Sequence, residues 1–273
     1  MPRQVTVPSS RSFLDLTQPE IAAQLRKNPL VILPAGSVEQ HGPHLPAGTD
    51  IFAARAIALA VAERMDALVL PDGALGVTPF HMAFESTLTL TPETFQNVVL
   101  ETCSSAAKHG AKRLLLLNWH EGNIAPLALA AERLHREHGM IVLTVQACYV
   151  AEEMFSTQYG GLTHGGEIEA LAVLWFNPNL VHLERADNSS ATDNGQKMDK
   201  LRRSRGYQPV LGDVRVMAPT GWFGDPHPAT VEKGGRMIEA IAEAIAKEAG
   251  AVFCQMAEAF DAAAGLTKQS LRE

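Results

Sequence analysis

The sequence predicts a single α/β domain, a sandwich in which a mostly parallel central sheet is flanked by helices. Short apolar runs alternate with amphipathic stretches of helical length, which is the pattern of repeated strand-helix units. The chain of 273 residues is 46% hydrophobic, enough to bury one large core. No repeat and no interdomain linker interrupts the pattern, so we treat residues 1–273 as one domain.

Four short apolar runs are predicted to form the sheet. They are residues 30–35, 67–71, 113–117 and 140–148. Stretches with apolar side chains at helical spacing are predicted helices: residues 50–65, 92–109, 124–138, 165–176 and 228–248. Residues 184–206 are polar and charged, so we expect a solvated loop there.

Composition argues against several classes of partner. The formal charge is -7 and no basic cluster occurs, which disfavours a nucleic-acid partner. The N-terminus lacks the apolar core of a secretory signal, and Arg55 breaks the best candidate for a membrane span, residues 51–62. Three cysteines occur without CxxC spacing. We therefore expect a protein of the reducing cytoplasm without a membrane partner.

Metal-ligand side chains follow the first predicted strand. Glu39 and His41 are two positions apart, and in an extended segment such side chains point to the same side. Asp50 stands at the start of the next predicted helix. Each residue has an alternative interpretation: a helix N-cap for Asp50, a solvated loop carboxylate for Glu39 and a turn histidine for His41.

Similar side chains occur at two further places. His120 follows the strand predicted at 113–117, and His164 and Glu167 open the helix predicted at 165–176, three positions apart and hence on one helical face. Alone, His120 is equally explained as a helix-start residue, and Glu167 as a carboxylate favoured by the helix N-terminus. Ligands of open α/β sheets bind beyond the carboxyl ends of the strands, so together these clusters indicate one shared metal site.

These motifs resemble those of the creatininase (creatinine amidohydrolase) family. The resemblance covers nearly the whole chain, and its most specific part is the E-x-H-x8-D block that begins at Glu39. The matching segments are LPAGSVEQHGPHLPAGTD at 33–50, NWHEGN at 118–123, HGGEIE at 164–169 and GWFGDPHPATVEKG at 221–234.

The resemblance implies two divalent metal ions that share Asp50. Its implied ligands are Glu39, Asp50 and His120 for one ion, and His41, Asp50 and Glu167 for the other. It further implies that His164 is catalytic, that Glu169 is an acidic residue close to it, and that the chain forms a homo-oligomer, commonly a hexamer.

The implied ligand set is chemically reasonable for hydrolysis. Imidazole and carboxylate ligands suit Zn, Mn or Fe, and five protein ligands leave open positions for water. A hydroxide held between ions about 3.5–4 Å apart is a nucleophile near neutral pH. We expect it to attack a carbonyl carbon, while His164 carries a proton to the departing nitrogen and Glu169 holds His164 in the useful tautomer.

The motifs also depart from the family pattern around the substrate. Trp119 and Glu121 stand where the family usually has small residues, so both are candidates for substrate binding. Trp119 is expected either in the core behind the site or as a wall of the pocket, and Glu121 could compete with Glu167 as a ligand. In true creatininases a Tyr-Glu pair follows the histidine, whereas Glu121 and Gly122 follow it here. His81, in a segment that resembles another family motif, is a further substrate-contact candidate.

The sequence therefore predicts a metal-dependent amidohydrolase that cleaves a C–N bond of a small amide or cyclic amide, other than an ordinary peptide bond. One alternative is a formamide hydrolase or a peptidase of cofactor biosynthesis that uses the same metals. A second alternative is a non-enzymatic metal-binding protein, but structural zinc sites are usually closed and rich in cysteine, unlike this ligand set.

Overall fold

The structure is a computed structural model that describes residues 10–72, 75–187, 193–204, 206–207 and 209–270, with side chains described as far as residue 262. No secretory signal was expected at the N-terminus, and residues 1–9 of that segment lie outside the described residues. Residues 188–192 of the predicted loop lie outside them as well. Within the described residues, the predicted α/β sandwich is confirmed.

In the part of the chain that the structure describes, the central sheet has four strands, all parallel. In chain order they are β1 (Leu30–Ala35), β2 (Leu68–Val69), β3 (Arg113–Asn118) and β4 (Ile141–Gln146), and their order in the sheet is β2-β1-β3-β4. β1 pairs with β3 over its full length, from Leu30 opposite Arg113 to Ala35 opposite Asn118. Parallel neighbours require crossover connections, and helices supply them here.

The helices pack on both faces of the sheet. They are α1 (Gln18–Lys27), α2 (Thr49–Met65), α3 (Pro92–Lys108), α4 (Ile124–His138), α5 (Ala147–Phe155), α6 (Glu167–Phe176), α7 (Asp193–Arg202) and α8 (Val231–Ser270). Short 3-10 helices cover Phe13–Asp15, Pro79–His81, Glu121–Asn123, Pro178–Leu180, Leu183–Arg185 and Val214–Val216.

Alternate side chains of β1 enter two separate apolar layers. Leu30 and Ile32 pack with α2, α5, α6 and α8, whereas Val31 and Leu33 pack with α1, α3 and α4. This two-residue alternation is the period of a strand covered on both faces. All six residues of β1 are buried, so its carboxyl end is held rigidly in the middle of the molecule.

Besides the bounds of the last helix, three element predictions need correction. The run 140–148 ends as a strand at Gln146 and continues as α5, because a buried apolar run does not distinguish strand from helix by periodicity. The predicted loop 184–206 contains helix α7, whose last residue, Arg202, pairs with Glu121. The helix predicted from 165 begins at Glu167, since Gly165 has φ +80°, outside helical geometry.

The last helix is longer than the prediction of 228–248, because α8 begins at Val231 and continues to Ser270. Among the described residues, no helix combines the length and the apolar character that a membrane crossing would require.

Candidate active site

Asp50 lies at the centre of a buried cluster of histidines and carboxylates at the carboxyl ends of β1 and β3. Its Oδ1 is 3.2 Å from Nε2 of His41, and its Oδ2 is 3.0 Å from Nδ1 of His120. Ser37 donates a hydrogen bond of 2.6 Å to Oδ2. The N-cap of α2 is Gly48, so Asp50 stands within the first turn and turns its carboxylate into the cluster.

Two groups of three potential ligands share Asp50. The first contains Glu39, Asp50 and His120, with Oε2 of Glu39 3.3 Å from Nδ1 of His120. The second contains His41, Asp50 and Glu169, with Nε2 of His41 3.7 Å from Oε2 of Glu169. All five side chains are buried. Within each group the candidate ligand atoms lie within 4.8 Å of one another, which is close enough for one ion.

Glu167 is not brought into this cluster. Its carboxylate accepts a hydrogen bond of 3.0 Å from Nζ of Lys233, which also donates to the carbonyl of Pro228. The geometry therefore does not support Glu167 as a ligand and offers Glu169 in its place. The family resemblance implied Glu167 as a ligand, but α6 begins at Glu167, and residues two apart on a helix point in different directions.

Hydrogen bonds behind the cluster orient both central histidines. Nδ1 of His41 donates to the carbonyl of Glu39 at 3.1 Å, and Nε2 of His120 donates to the carbonyl of Val77 at 3.0 Å. The other nitrogen of each ring then faces the carboxylates. Thr78 donates a hydrogen bond to Oε2 of Glu39. In known metal sites, hydrogen bonds of this kind to the ligand side chains fix their orientation.

Gly122 is required beside His120. A β-carbon at this position would lie 2.0 Å from the carbonyl oxygen of Val77 and 2.6 Å from Nε2 of His120. Any larger residue would therefore displace the atoms that form the orienting hydrogen bond of His120.

The residues of the cluster fit divalent metal ions. Nε2 of His41 is fully buried and has no well-aligned hydrogen-bond partner among the described residues, although it points at oxygens of Asp50 and Glu169. With Nδ1 donating to a carbonyl, Nε2 of a neutral ring presents a lone pair to carboxylate lone pairs. Only a cation or an added proton makes that arrangement favourable.

The protonation of the ion-free cluster follows from the same contacts. Burial acts to lower the pKa of His41, but the charges of Glu169 and Asp50 outweigh it and raise that pKa to about 10. Burial likewise acts to lower the pKa of His120, but the charges of Glu39 and Asp50 outweigh it and raise that pKa to about 9. Each imidazole therefore holds a proton where a metal ion would bind.

The two carboxylates facing His41 differ in their proton affinity. Burial is the largest influence on Glu169 and, despite the nearby His41, raises its pKa to about 7. Burial also acts to raise the pKa of Asp50, but His41 and His120 outweigh it and hold that pKa well below its usual range. Asp50 is thus the anionic centre of the cluster.

His164 and His81 lie together beside Glu39. Their rings stack with centroids 4.3 Å apart, and His164 makes an equally close contact with His41. Nδ1 of His164 is 3.8 Å from Oε1 of Glu39, and Nε2 of His81 is 3.6 Å from the same oxygen. Burial, reinforced by the neighbouring histidines, lowers the pKa of both well below the usual value, so both rings are neutral near pH 7.

The expected contact between Glu169 and His164 is replaced by others. Oε2 of Glu169 accepts a hydrogen bond of 2.6 Å from the main-chain nitrogen of Gly165 and faces His41. Nε2 of His164 donates instead to the carbonyl of Gln40 at 2.6 Å. The left-handed turn at Gly165 separates His164 from α6, so the two side chains do not share one helical face.

Glu121 does not join either ligand group. Its carboxylate accepts hydrogen bonds from Tyr149, at 2.9 Å, and from Arg202 and Arg203. Burial acts to raise the pKa of Glu121, but the charges of Arg202 and Arg203 outweigh it and the pKa is lowered. Asp199 pairs with both arginines as well.

A cavity of about 620 Å³ opens above the cluster. Trp119, Glu121 and His81, the three substrate-contact candidates, all line it, together with Arg202 and Arg203. Trp119 is only 2% exposed and packs in the core layer that also contains α2 and α8, so it forms a wall behind the site. The volume falls in the range of cavities that hold small organic ligands.

Sequence reasoning missed the residues that support the ligands and line the cavity. Ser37, Gln40 and Thr78 are common loop residues, and only the position of Gln40 between two proposed ligands pointed to a role. Arg202 and Arg203 belong to a segment that was expected to be solvated. They are paired with Glu121, about 80 positions earlier, and local sequence carries no signal of such a contact.

The chain is similar to known proteins along most of its length. The family model described as creatininase, creatinine amidohydrolase, matches residues 14–249. A mycofactocin precursor peptide peptidase of Mycobacterium ulcerans is 33% identical over 222 residues, which are 77% of this chain and 80% of that protein. Creatinine amidohydrolase of Pseudomonas putida is 28% identical over 257 residues, 85% and 93% of the two chains.

Solved structures of creatininases are also similar to this chain along most of its length. A crystal structure of a creatinine amidohydrolase superposes with a TM-score of 0.73 at 26% identity, covering 90% of this chain and 99% of that one. Similar creatininase structures include a manganese form and a variant described as the Zn-Zn type. The chain therefore belongs to the creatininase family of metal-dependent amidohydrolases.

Proposed function

We propose that this chain binds two divalent ions and hydrolyses a C–N bond of a small amide or cyclic amide. The observation that carries the proposal is the position of Asp50, whose two carboxylate oxygens face two different groups of ligands. Glu39 and His120 would complete one ion site with Asp50, and His41 and Glu169 would complete the other.

The charges and the donor types of the five residues support this assignment. Three carboxylates and two imidazoles give a formal charge of about -3, which two divalent ions more than neutralise in a buried site. Zinc and manganese, which similar creatininases carry, are the first candidates, and iron suits the same ligand types. The absence of cysteine from the two groups argues against a closed structural zinc site.

When bound, the two ions would lower the pKa of water and polarise a substrate carbonyl. The residues of the chain would position the other reactants. His164, a neutral base with Nδ1 directed at the cluster, would accept the proton of the attacking water and return it to the departing nitrogen. Trp119 and Glu121 would limit the size and the orientation of the substrate, and His81 would contact it.

A second candidate substrate is a peptide-like amide. The cavity of about 620 Å³ has room for more than a single small ring, and its wall carries Arg202 and Arg203. The similarity to the peptidase of Mycobacterium ulcerans supports this alternative, because the chain is 33% identical to that peptidase and 28% identical to creatinine amidohydrolase of Pseudomonas putida.

Product analysis distinguishes these candidates. Protein reconstituted with zinc or manganese would be incubated with creatinine, lactams, hydantoins, formamides and short peptides. An opened ring supports the cyclic amide, released formate a formamide, and a shortened chain the peptide. Metal-loaded protein that cleaves none of them, while binding two ions, would leave a metal-binding protein without hydrolytic function.

We further propose that the chain acts in the cytoplasm as a homo-oligomer, with a hexamer as the first expectation from the family resemblance. Sedimentation analysis of the purified protein tests the assembly. A monomer at micromolar concentration would contradict it.

A further inference from the structure

Gln40 connects two histidines of the site through two different chemical groups. It stands between the proposed ligands Glu39 and His41, is 6% exposed, and lies beside the rings of His81 and His164. Its main-chain carbonyl meets one ring and its side-chain amide meets the other. Because a carbonyl only accepts and an NH₂ group only donates, each contact constrains where the proton of the neighbouring ring can be.

The orientation of the Gln40 amide is determined by its surroundings. Oε1 accepts a hydrogen bond from the main-chain nitrogen of Gly42 at 3.1 Å, and Nε2 donates to the carbonyl of Gly221 at 2.5 Å. The reversed amide would set oxygen against a carbonyl and NH₂ against an N–H. Nε2 therefore faces Nδ1 of His81, at 3.1 Å, with its second hydrogen. Nδ1 of His81 must then be unprotonated, which leaves the ring proton on Nε2.

His164 presents the opposite atom to the site. Its Nε2 is 2.6 Å from the carbonyl oxygen of Gln40, which can only accept, so the ring proton is on Nε2 and Nδ1 carries a lone pair. His81 thus presents an N–H to the site, and His164 presents a lone pair. Nε2 of His81 is 3.6 Å and Nδ1 of His164 is 3.8 Å from Oε1 of Glu39. A separation of 3.6 Å is too long for a hydrogen bond, so Glu39 does not engage the N–H of His81.

We propose that Gln40 is a positioning residue that holds His81 and His164 in complementary roles, His81 as a hydrogen-bond donor to the substrate carbonyl oxygen and His164 as the base. The catalytic part of this inference rests on the proposed function. The tautomers themselves do not, because they follow from hydrogen bonds within the chain. A His81 without the amide of Gln40 could place its proton on either nitrogen, and the donor would then be present in only part of the molecules.

Nitrogen NMR of protein labelled with ¹⁵N-histidine tests the tautomers without any substrate. Two-bond ¹H–¹⁵N correlations identify the protonated nitrogen of each ring, and His81→Phe and His164→Phe assign the two signals. Both rings should be protonated on Nε2 in ion-free and zinc-loaded protein. A wild-type His81 protonated on Nδ1 would overturn the inference.

Gln40→Met keeps the length of the side chain and removes the donor. We expect the His81 signals to shift toward a mixture of tautomers, while His164 is unchanged because its partner is a main-chain carbonyl. Gln24→Met is the matched control, since Gln24 is also buried and donates to a carbonyl, that of Asp66, away from the site. A His81 tautomer that is unchanged in Gln40→Met would contradict the positioning role.

Kinetics on any substrate identified for the wild type tests the consequence. His81→Phe should lower kcat by about 10²–10³ with little change of KM, the usual effect of removing one donor to a developing oxyanion. His81→Gln, whose amide can present an N–H near the position of Nε2, should retain more of kcat. An equal loss in both variants would argue against a donor role. If the wild type hydrolyses no amide, the proposed function fails, and the NMR result still decides the tautomers.

Discussion

Oε2 of Glu169 lies 3.7 Å from Nε2 of His41, and both atoms are directed at Asp50. Two residues earlier on the same helix, Glu167 instead pairs with Lys233. The first turn of α6 thus separates one carboxylate that faces the candidate metal ligands from one that pairs with Lys233 at the start of α8. Substituting each of these two glutamates by glutamine therefore gives a matched pair of variants.

Glu169→Gln should lose about one of two bound ions per chain and most of its activity, because an amide cannot replace the anionic ligand. Glu167→Gln should keep its metal content and lose one charge of an ion pair whose carboxylate is buried, so we expect a loss of stability above the about 1 kcal/mol of a solvent-exposed pair. Elemental analysis of both purified variants measures the difference. The reverse pattern would return the ligand role to Glu167.

Asp50→Asn should bind neither ion tightly, because this residue serves both ligand groups. Glu39→Gln should weaken mainly the group that contains His120. Titration of the ion-free variants with zinc, followed calorimetrically, would give the number of sites and their affinities. Normal stoichiometry in Asp50→Asn would rule out a shared ligand.

His164→Gln should keep its metal content and lower kcat by about 10²–10⁴, the range for a positioned acid or base. The defect should be smaller for substrates with better leaving groups, which need less protonation. His164 also forms a potential ligand group with Glu39 and His41, so metal content has to be measured on the same samples. Loss of an ion in this variant would assign His164 as a ligand instead.

Metal binding should release protons at pH 7. In the ion-free protein the pKa values of His41 and His120 are raised to about 10 and about 9, so both rings are protonated there, whereas a metal ligand must be neutral. Two protons from the imidazoles should leave, with a further fraction from Glu169, whose pKa is about 7. Affinity should therefore rise with pH until these groups are deprotonated. Calorimetry in buffers of different ionisation enthalpy counts the protons, and a count near zero would contradict this protonation.

Creatinine should be a poor substrate, with kcat/KM far below the ordinary range of about 10⁴–10⁸ M⁻¹s⁻¹. Glu121 and its two arginines form a charged wall in the cavity. Such a wall favours a substrate that offers polar groups, and a site built to pair those groups rejects an analogue without them by about 10⁴ or more. A value for creatinine within the ordinary range would refute this prediction and leave the metal assignment intact.

Sequence alone determined those features that depend on local spacing. The apolar runs predicted a parallel sheet, and the spacing of Glu39 and His41 in the segment after β1 predicted two side chains that lie close together, as they do. His120 was singled out for a similar reason, since it lies two residues beyond the end of β3. Both the periodicity and the position of a residue near a strand end depend on residues that are close together in the sequence, so they can be predicted without knowledge of distant contacts.

Tertiary structure decided what depends on the start of a helix or on residues far apart in the chain. Glu169, and not Glu167, faces His41 and Asp50 because α6 begins only after the left-handed turn at Gly165. The sequence does not show at which residue of this segment the helix begins. The contacts of Gln40 with His81 and His164 join residues 41 and 124 positions apart. Such contacts form only when the loops beyond several strands pack against one another, and the resulting hydrogen bonds set which atom of each histidine faces the site.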